Sequence, residues 1–114
     1  MSAASIPVLT LSVKATAALT AHRFCTGAGA VPAGAARALG VARTDAAIGE
    51  LAPVDVLGVA VVTAGAAIAA EALVEVGTAG KAVTKSAGVT VGRLAPGAVA
   101  AADGDLIEVI LIPN

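Results

Sequence analysis

The sequence predicts an all-β fold: a small single-domain β-barrel or sandwich of short strands, with an extended N-terminal arm and at most one or two short helical turns. Three observations carry this expectation. Turn signals recur every few residues, among them Gly27-Ala28-Gly29, Pro32-Ala33-Gly34, Gly49-Glu50, Gly65, Gly77, Gly80, Gly88, Pro96-Gly97 and Asp103-Gly104. Short runs rich in Val, Ile and Leu lie between them. No window longer than about ten residues keeps an apolar stripe at i, i+3, i+4, i+7 without a Gly or Pro breaking it. The abundant Ala favours helix by intrinsic propensity, but the breakers interrupt every helical stretch before it reaches a stable length.

In chain order, residues 1–7 read as the arm and residues 8–114 as one β domain. Residues 8–15 alternate closely, with Leu9, Leu11 and Val13 on one face. Residues 21–26 form a second strand, with His22 and Phe24 on one face and Arg23 and Cys25 on the other. Residues 38–42 are a short third strand. Residues 54–63 are apolar on both faces, which marks a central strand. Further short strands fall at 73–76, 82–84 and 89–94, and residues 106–112 end the chain. The helical turns are expected at 44–49, with Thr44 or Asp45 as cap, and at 98–102. A faint echo between 29–35 and 64–70 reflects two similar small-residue turns rather than a duplication.

Composition narrows the function classes. Apolar residues make up 58% of the 114, yet there is one Phe and neither Tyr nor Trp. Each small side chain buries little area, so the domain is expected to hold one thin core with no room for a second. A thin core in a small domain calls for a disulfide, a metal or association with neighbours. The single Cys25 excludes an intrachain disulfide. Seven Lys and Arg against eight Asp and Glu give a net charge of -1, without the basic stripe that nucleic acid requires. Only 13% of residues are charged, which leaves an apolar surface of the kind that marks contacts. The uncharged run 56–70 is shorter than the roughly 20 residues needed to span a bilayer, so no membrane role is expected. Residues 1–13 lack a basic start and a long apolar stretch, and one cysteine fits a reducing cytoplasm.

The residues that could carry chemistry are few and scattered. His22 and Cys25, three apart on a strand, point to opposite faces, so they make no dyad. Cys25 reads as a small buried apolar residue. No Cys-x-x-Cys, paired His or calcium loop is present, and no metal or cofactor is expected. Asp103-Gly104-Asp105 and Gly27-Ala28-Gly29 read as turns. Glu71 and Glu75 read as solvated surface residues. Lys14, Lys81 and Lys85 lack the hairpin context of a biotinyl or lipoyl lysine. The chain is expected not to be an enzyme.

From about residue 39 to 111 the sequence resembles the capsid cement, or head decoration, proteins of tailed bacteriophages. The resemblance rests on a series: Gly40-Val41-Ala42, Asp45-Ala46-Ala47-Ile48-Gly49-Glu50, then Gly58-Val59-Ala60-Val61-Val62-Thr63-Ala64-Gly65. It continues through Ala66, Ile68 and Ala69 to Leu73-Val74, Gly80-Lys81-Ala82-Val83, Gly92-Arg93-Leu94-Ala95 and Gly104-Asp105-Leu106-Ile107-Glu108-Val109. The resemblance implies a β-tulip-like barrel made in the host bacterial cytoplasm and added to the outer capsid surface. There it would clamp major capsid protein subunits, often as a homotrimer, with an N-terminal arm reaching over the lattice. On that reading Ser2, Ile6, Val8, Leu9 and Thr10 are candidate capsid contacts, and Val59, Val61 and Ile110 candidate trimer contacts. Two other classes share the composition: a self-assembling phage structural or adaptor subunit, and a small β-rich ligand-binding or carrier module.

Overall fold

The computed structural model describes residues 4–114. Eight strands carry the architecture: β1 (Ile6–Lys14), β2 (Phe24–Cys25), β3 (Gly40–Ala42), β4 (Leu51–Thr63), β5 (Leu73–Val76), β6 (Ala82–Thr84), β7 (Gly92–Leu94) and β8 (Leu106–Leu111). One short 3-10 turn, Thr78–Gly80, is the only helical element among the described residues. The strands form one sheet in the order β2-β3-β4-β8-β7-β5-β6, and β1 pairs with β4 as well. Beyond β4 the chain curls back: Ala64 bridges Ala82, and the Gly65 N–H donates to the Ala82 carbonyl at 2.7 Å. That contact brings β6 round to β4, so β4, β8, β7, β5 and β6 enclose a nearly closed barrel. Between the two architectures left open by the sequence, the structure is the barrel.

Alternation along the strands sorts side chains to the barrel wall or its interior. Ala60 and Val62 of β4, Val74 and Val76 of β5 and Ile107 and Val109 of β8 point inward and are buried. Phe24, the one aromatic residue, is the largest fully buried side chain and joins them. A second cluster lies beside the barrel: Val13, Ala15, Leu19, Cys25, Ala46, Ala52 and Val54. The expectation of a single core is therefore wrong. β4 makes the second one possible, contributing Ala52 and Val54 to one cluster and Ala60 and Val62 to the other.

A straight strand of the 13 residues of β4 would run about 40 Å, longer than the molecule's 36 Å extent along its longest principal axis. β4 therefore bends, and it does so at Gly58, whose φ is +99°. Opposite the bend, β1 carries one extra residue at Val8, and the register recovers at Val56 on β4. Only glycine fits here on a second ground as well. A Cβ on Gly58 would lie 2.4 Å from the Ile6 carbonyl oxygen and 2.8 Å from the Val8 nitrogen.

Neither expected helical turn forms. In segment 44–49, Ala46 exchanges backbone hydrogen bonds with Leu19 at 2.8 and 3.0 Å. In segment 98–102, Ala100 does the same with Ile68 at 3.0 and 3.1 Å. Each Ala thus spends its N–H and C=O across the chain instead of along it. Asp45 caps no helix; its Oδ1 accepts the Ala21 N–H at 2.8 Å. The second strand is also shorter than expected, because His22 takes a left-handed φ of 64° and ends the extended run before Phe24.

Glu75 corrects another expectation, being 9% exposed and not solvated. Its Oε1 accepts the backbone N–H groups of Ser86 and Gly88, tying the 85–88 loop to β5. The Ser86 bond, then the Gly88 bond, and the charge of Lys85 hold its carboxyl below the usual range, while desolvation opposes them. Glu71, by contrast, is exposed as expected.

Two outcomes follow for stability. Gly97 also has a positive φ, +81°, but open space around it, so Gly97→Ala should cost about 1 kcal/mol from backbone strain alone. Gly58→Ala should cost more, about 2–4 kcal/mol, because β1 must also move; equal urea midpoints for the two variants would remove the close-approach argument. For Glu75, a depressed carboxyl stabilises the fold above the unfolded value of about 4.3. That contribution fades as pH falls through the folded value. The stability gap between the parent chain and Glu75→Gln should therefore be wide at neutral pH and narrow in acid, and a gap independent of pH would refute it.

Candidate interaction surface

Of the residues expected to make contacts, Ser2 lies outside the described residues. Ile6, Val8, Leu9 and Thr10 are exposed on β1 and Ile110 on β8, whereas on β4 Val59 is half-buried and Val61 buried. Pairing register aligns Ile6 of β1 with Val59 of β4, Val59 with Ile110 of β8, and Ile110 with Arg93 of β7. Arg93 in turn faces Leu73 of β5. This row crosses the outer barrel wall, with Ile6 63% and Ile110 37% exposed and Val59 half-buried. The only charges in the row itself belong to Arg93, whose Nη2 lies 3.9 Å from Glu71 Oε1 in an exposed pair. Such a pair adds little stability in water. Val61, two residues beyond Val59 and on the same face of β4, is buried beside the cleft lined by His22 and Arg43.

β1 extends the apolar surface past the barrel. Its residues are exposed along nearly the whole length, and Val8 is the most exposed of its large apolar side chains at 77%. Leu9 and Leu11 are exposed on the face that carries Val13 into the second cluster. Lys14, at its C-terminal end, is the sole charged residue of the strand. β1 is paired with β4 alone, so its other edge has no strand beside it among the described residues. Edge strands in solitary proteins are usually shortened, bulged or charged against such pairing. Here a bulge at Val8 is present, but the charge is confined to Lys14 at the strand's end.

A small polar network fixes β1 from beneath. Asp55, 2% exposed in the middle of β4, accepts the Thr10 hydroxyl at 2.9 Å through Oδ1 and faces Arg43 Nε at 3.5 Å through Oδ2. Arg43 Nη2 reaches the Ser5 hydroxyl at 3.4 Å. Ser5, Arg43 and Asp55, with His22 and Val61, line a cleft of about 110 Å³. Thr10, offered as a contact residue, thus also holds β1 to β4. Asp55 was not among the residues expected to matter, although a lone carboxylate inside an apolar run is a signal, since a buried charge demands partners.

The groups capable of chemistry are dispersed. His22 faces the cleft, whereas Cys25 is fully buried in the second cluster, where burial pushes its thiol up to about 11. A thiol so protonated is a poor nucleophile at neutral pH. Asp105 Oδ2 accepts the N–H groups of Ala101 and Ala102, and Asp103 pairs with Lys81 at 2.9 Å, so both acids hold their turn in place. Among the described residues, no group of three or more His, Cys, Asp or Glu comes together as metal ligands would. No helix among them is long and apolar enough to cross a membrane.

Comparison with known proteins gives this surface a setting. Among solved structures, the N-terminal base of the head fibre protein gp8.5 of bacteriophage phi29 superposes with a TM-score of 0.72. It is 21% identical, and the match covers 91% of this chain and 93% of that one. No curated protein matches the chain. The family model described as phage cement protein matches residues 4–111, well beyond the stretch on which the sequence resemblance rested. The chain belongs to the phage cement protein family.

Proposed function

We propose that this protein is a non-enzymatic decoration subunit of the virion. It binds the outer surface of a phage head through the major capsid protein and holds neighbouring capsid subunits together. The observation that carries this reading is β1, a long, nearly uncharged edge strand with exposed apolar side chains at Ile6, Val8, Leu9 and Leu11. An extended capsid segment can add to such an edge through backbone hydrogen bonds, with the apolar side chains giving fit. Ser2, Ile6, Val8, Leu9 and Thr10 are the proposed capsid contacts. Val59, Val61 and Ile110 are proposed to meet a second copy in a homotrimer. Repetition over a lattice then turns modest single contacts into lasting retention.

A second reading, a fibre-base or adaptor subunit that builds its own ring, draws on the likeness to the phi29 head fibre base. Light scattering separates the two, since a large closed ring in the free protein favours the adaptor and a monomer or trimer the cement.

The direct test mixes purified protein with undecorated, expanded capsids. Binding should be saturable and stoichiometric and should raise the temperature at which the capsids come apart; neither effect would be seen if the proposal is wrong. Val8→Glu adds a charge at a solvated position, so the free protein should melt within about 0.5 kcal/mol of the parent. Its capsid affinity should nevertheless fall at least about tenfold, which corresponds to about 1.4 kcal/mol. Unchanged affinity would clear β1 of the role.

A further inference from the structure

β1 is held to the domain unequally along its length. From Leu9 onward it is anchored: Thr10 bonds the buried Asp55, Val13 sits in the second cluster, and the next residue, Ala15, donates to the Glu50 carbonyl at 2.8 Å. Upstream of Val8 the attachment is slight. Ile6 and Pro7 pair opposite Val59 and Gly58, but neither joins a core cluster, and Pro7 has no N–H to donate. The side-chain ties of this part are the Ala4 N–H to Glu108 Oε2 and Arg43 to the Ser5 hydroxyl, both 3.4 Å long and exposed. The register shift at Val8 marks the border between the two parts.

The seat under residues 4–7 is nonetheless specific. Gly58 offers a notch where the Ile6 carbonyl would come within 2.4 Å of any Cβ, and Val59 stands directly across from Ile6. A segment that fits this notch must bring its backbone close at that point, as this chain's own residues 6 and 7 do. The best-matched occupant available to a second copy is therefore the same segment of its neighbour.

We propose that residues 4–7 are an exchangeable strand: when copies of this chain assemble, each lays its segment on β4 of the next, hinging at Val8. The exchanged segment makes the same pairs as before, so exchange substitutes like for like and adds a link between chains. The contact is head-to-tail, and a head-to-tail contact closes into a ring when its rotation permits. This inference concerns copies of the chain alone and does not rest on capsid binding.

The test is the double variant Ile6→Cys/Val59→Cys, oxidised at high protein concentration and read by non-reducing denaturing electrophoresis and intact mass. Exchange gives covalent oligomers with little monomer left. Chains that stay unlinked to one another, with an internal disulfide or with free thiols, overturn the proposal. An equimolar mixture of the two single variants supplies a second readout: exchange yields a mixed disulfide dimer, and its absence counts against exchange. Native Cys25 is fully buried and does not compete for the link.

Discussion

β4 has to serve two cores, three neighbouring strands and the barrel closure, and a straight strand cannot do so. Its first half pairs with β1 and β3 and buries Ala52 and Val54 in the smaller cluster. Its second half pairs with β8 and buries Ala60 and Val62 in the barrel. The left-handed backbone at Gly58 redirects the strand between these duties, and the missing Cβ lets β1 cross it closely. The bulge at Val8, the separation of the cores and the outward placement of β1 all follow from that one bend. So does the cleft beneath β1, where the buried Asp55 reconciles its charge with Thr10 and Arg43.

The scarcity of large side chains gives the molecule its character. Barrel walls lined by Ala60, Val62, Val74, Val76, Ala82 and Val109 approach closely, and one Phe supplies the bulk at the centre. Side chains this small each bury a modest area, so each polar anchor matters more than it would in a larger domain. Glu75 and Asp105 show how: each carboxylate gathers backbone N–H groups of a loop that has little apolar surface of its own. The same economy on the outside leaves apolar side chains of β1 and β8 facing solvent. Exposed apolar area of this kind is typical of surfaces that make contacts.

Much of the fold was legible from local patterns. The strands at 73–76 and 82–84 have the expected bounds, and those ending at Ala42, Thr63 and Leu94 finish where expected. Alternation and nearby turn residues suffice there because both signals are local. The strands that carry Val8 and Ile110 were also readable, although the run Ile110-Leu111-Ile112, apolar on both faces, left the outward position of Ile110 open. The pairing of Ile110 with Val59, and of Val59 with Ile6, was not readable, because cross-strand register depends on a bulge whose place no local rule states.

By itself the sequence determined the all-β class and an interior built from small side chains, because composition and period act locally and need no partner. Tertiary structure decided where Ala46 and Ala100 spend their backbone hydrogen bonds, turning two apparent helical turns into bridges with Leu19 and Ile68. It also decided that Glu75 is buried rather than solvated, and that a single strand would divide the interior in two. These are choices between a local hydrogen bond and a distant one. The distant partner wins only once the chain has closed around it.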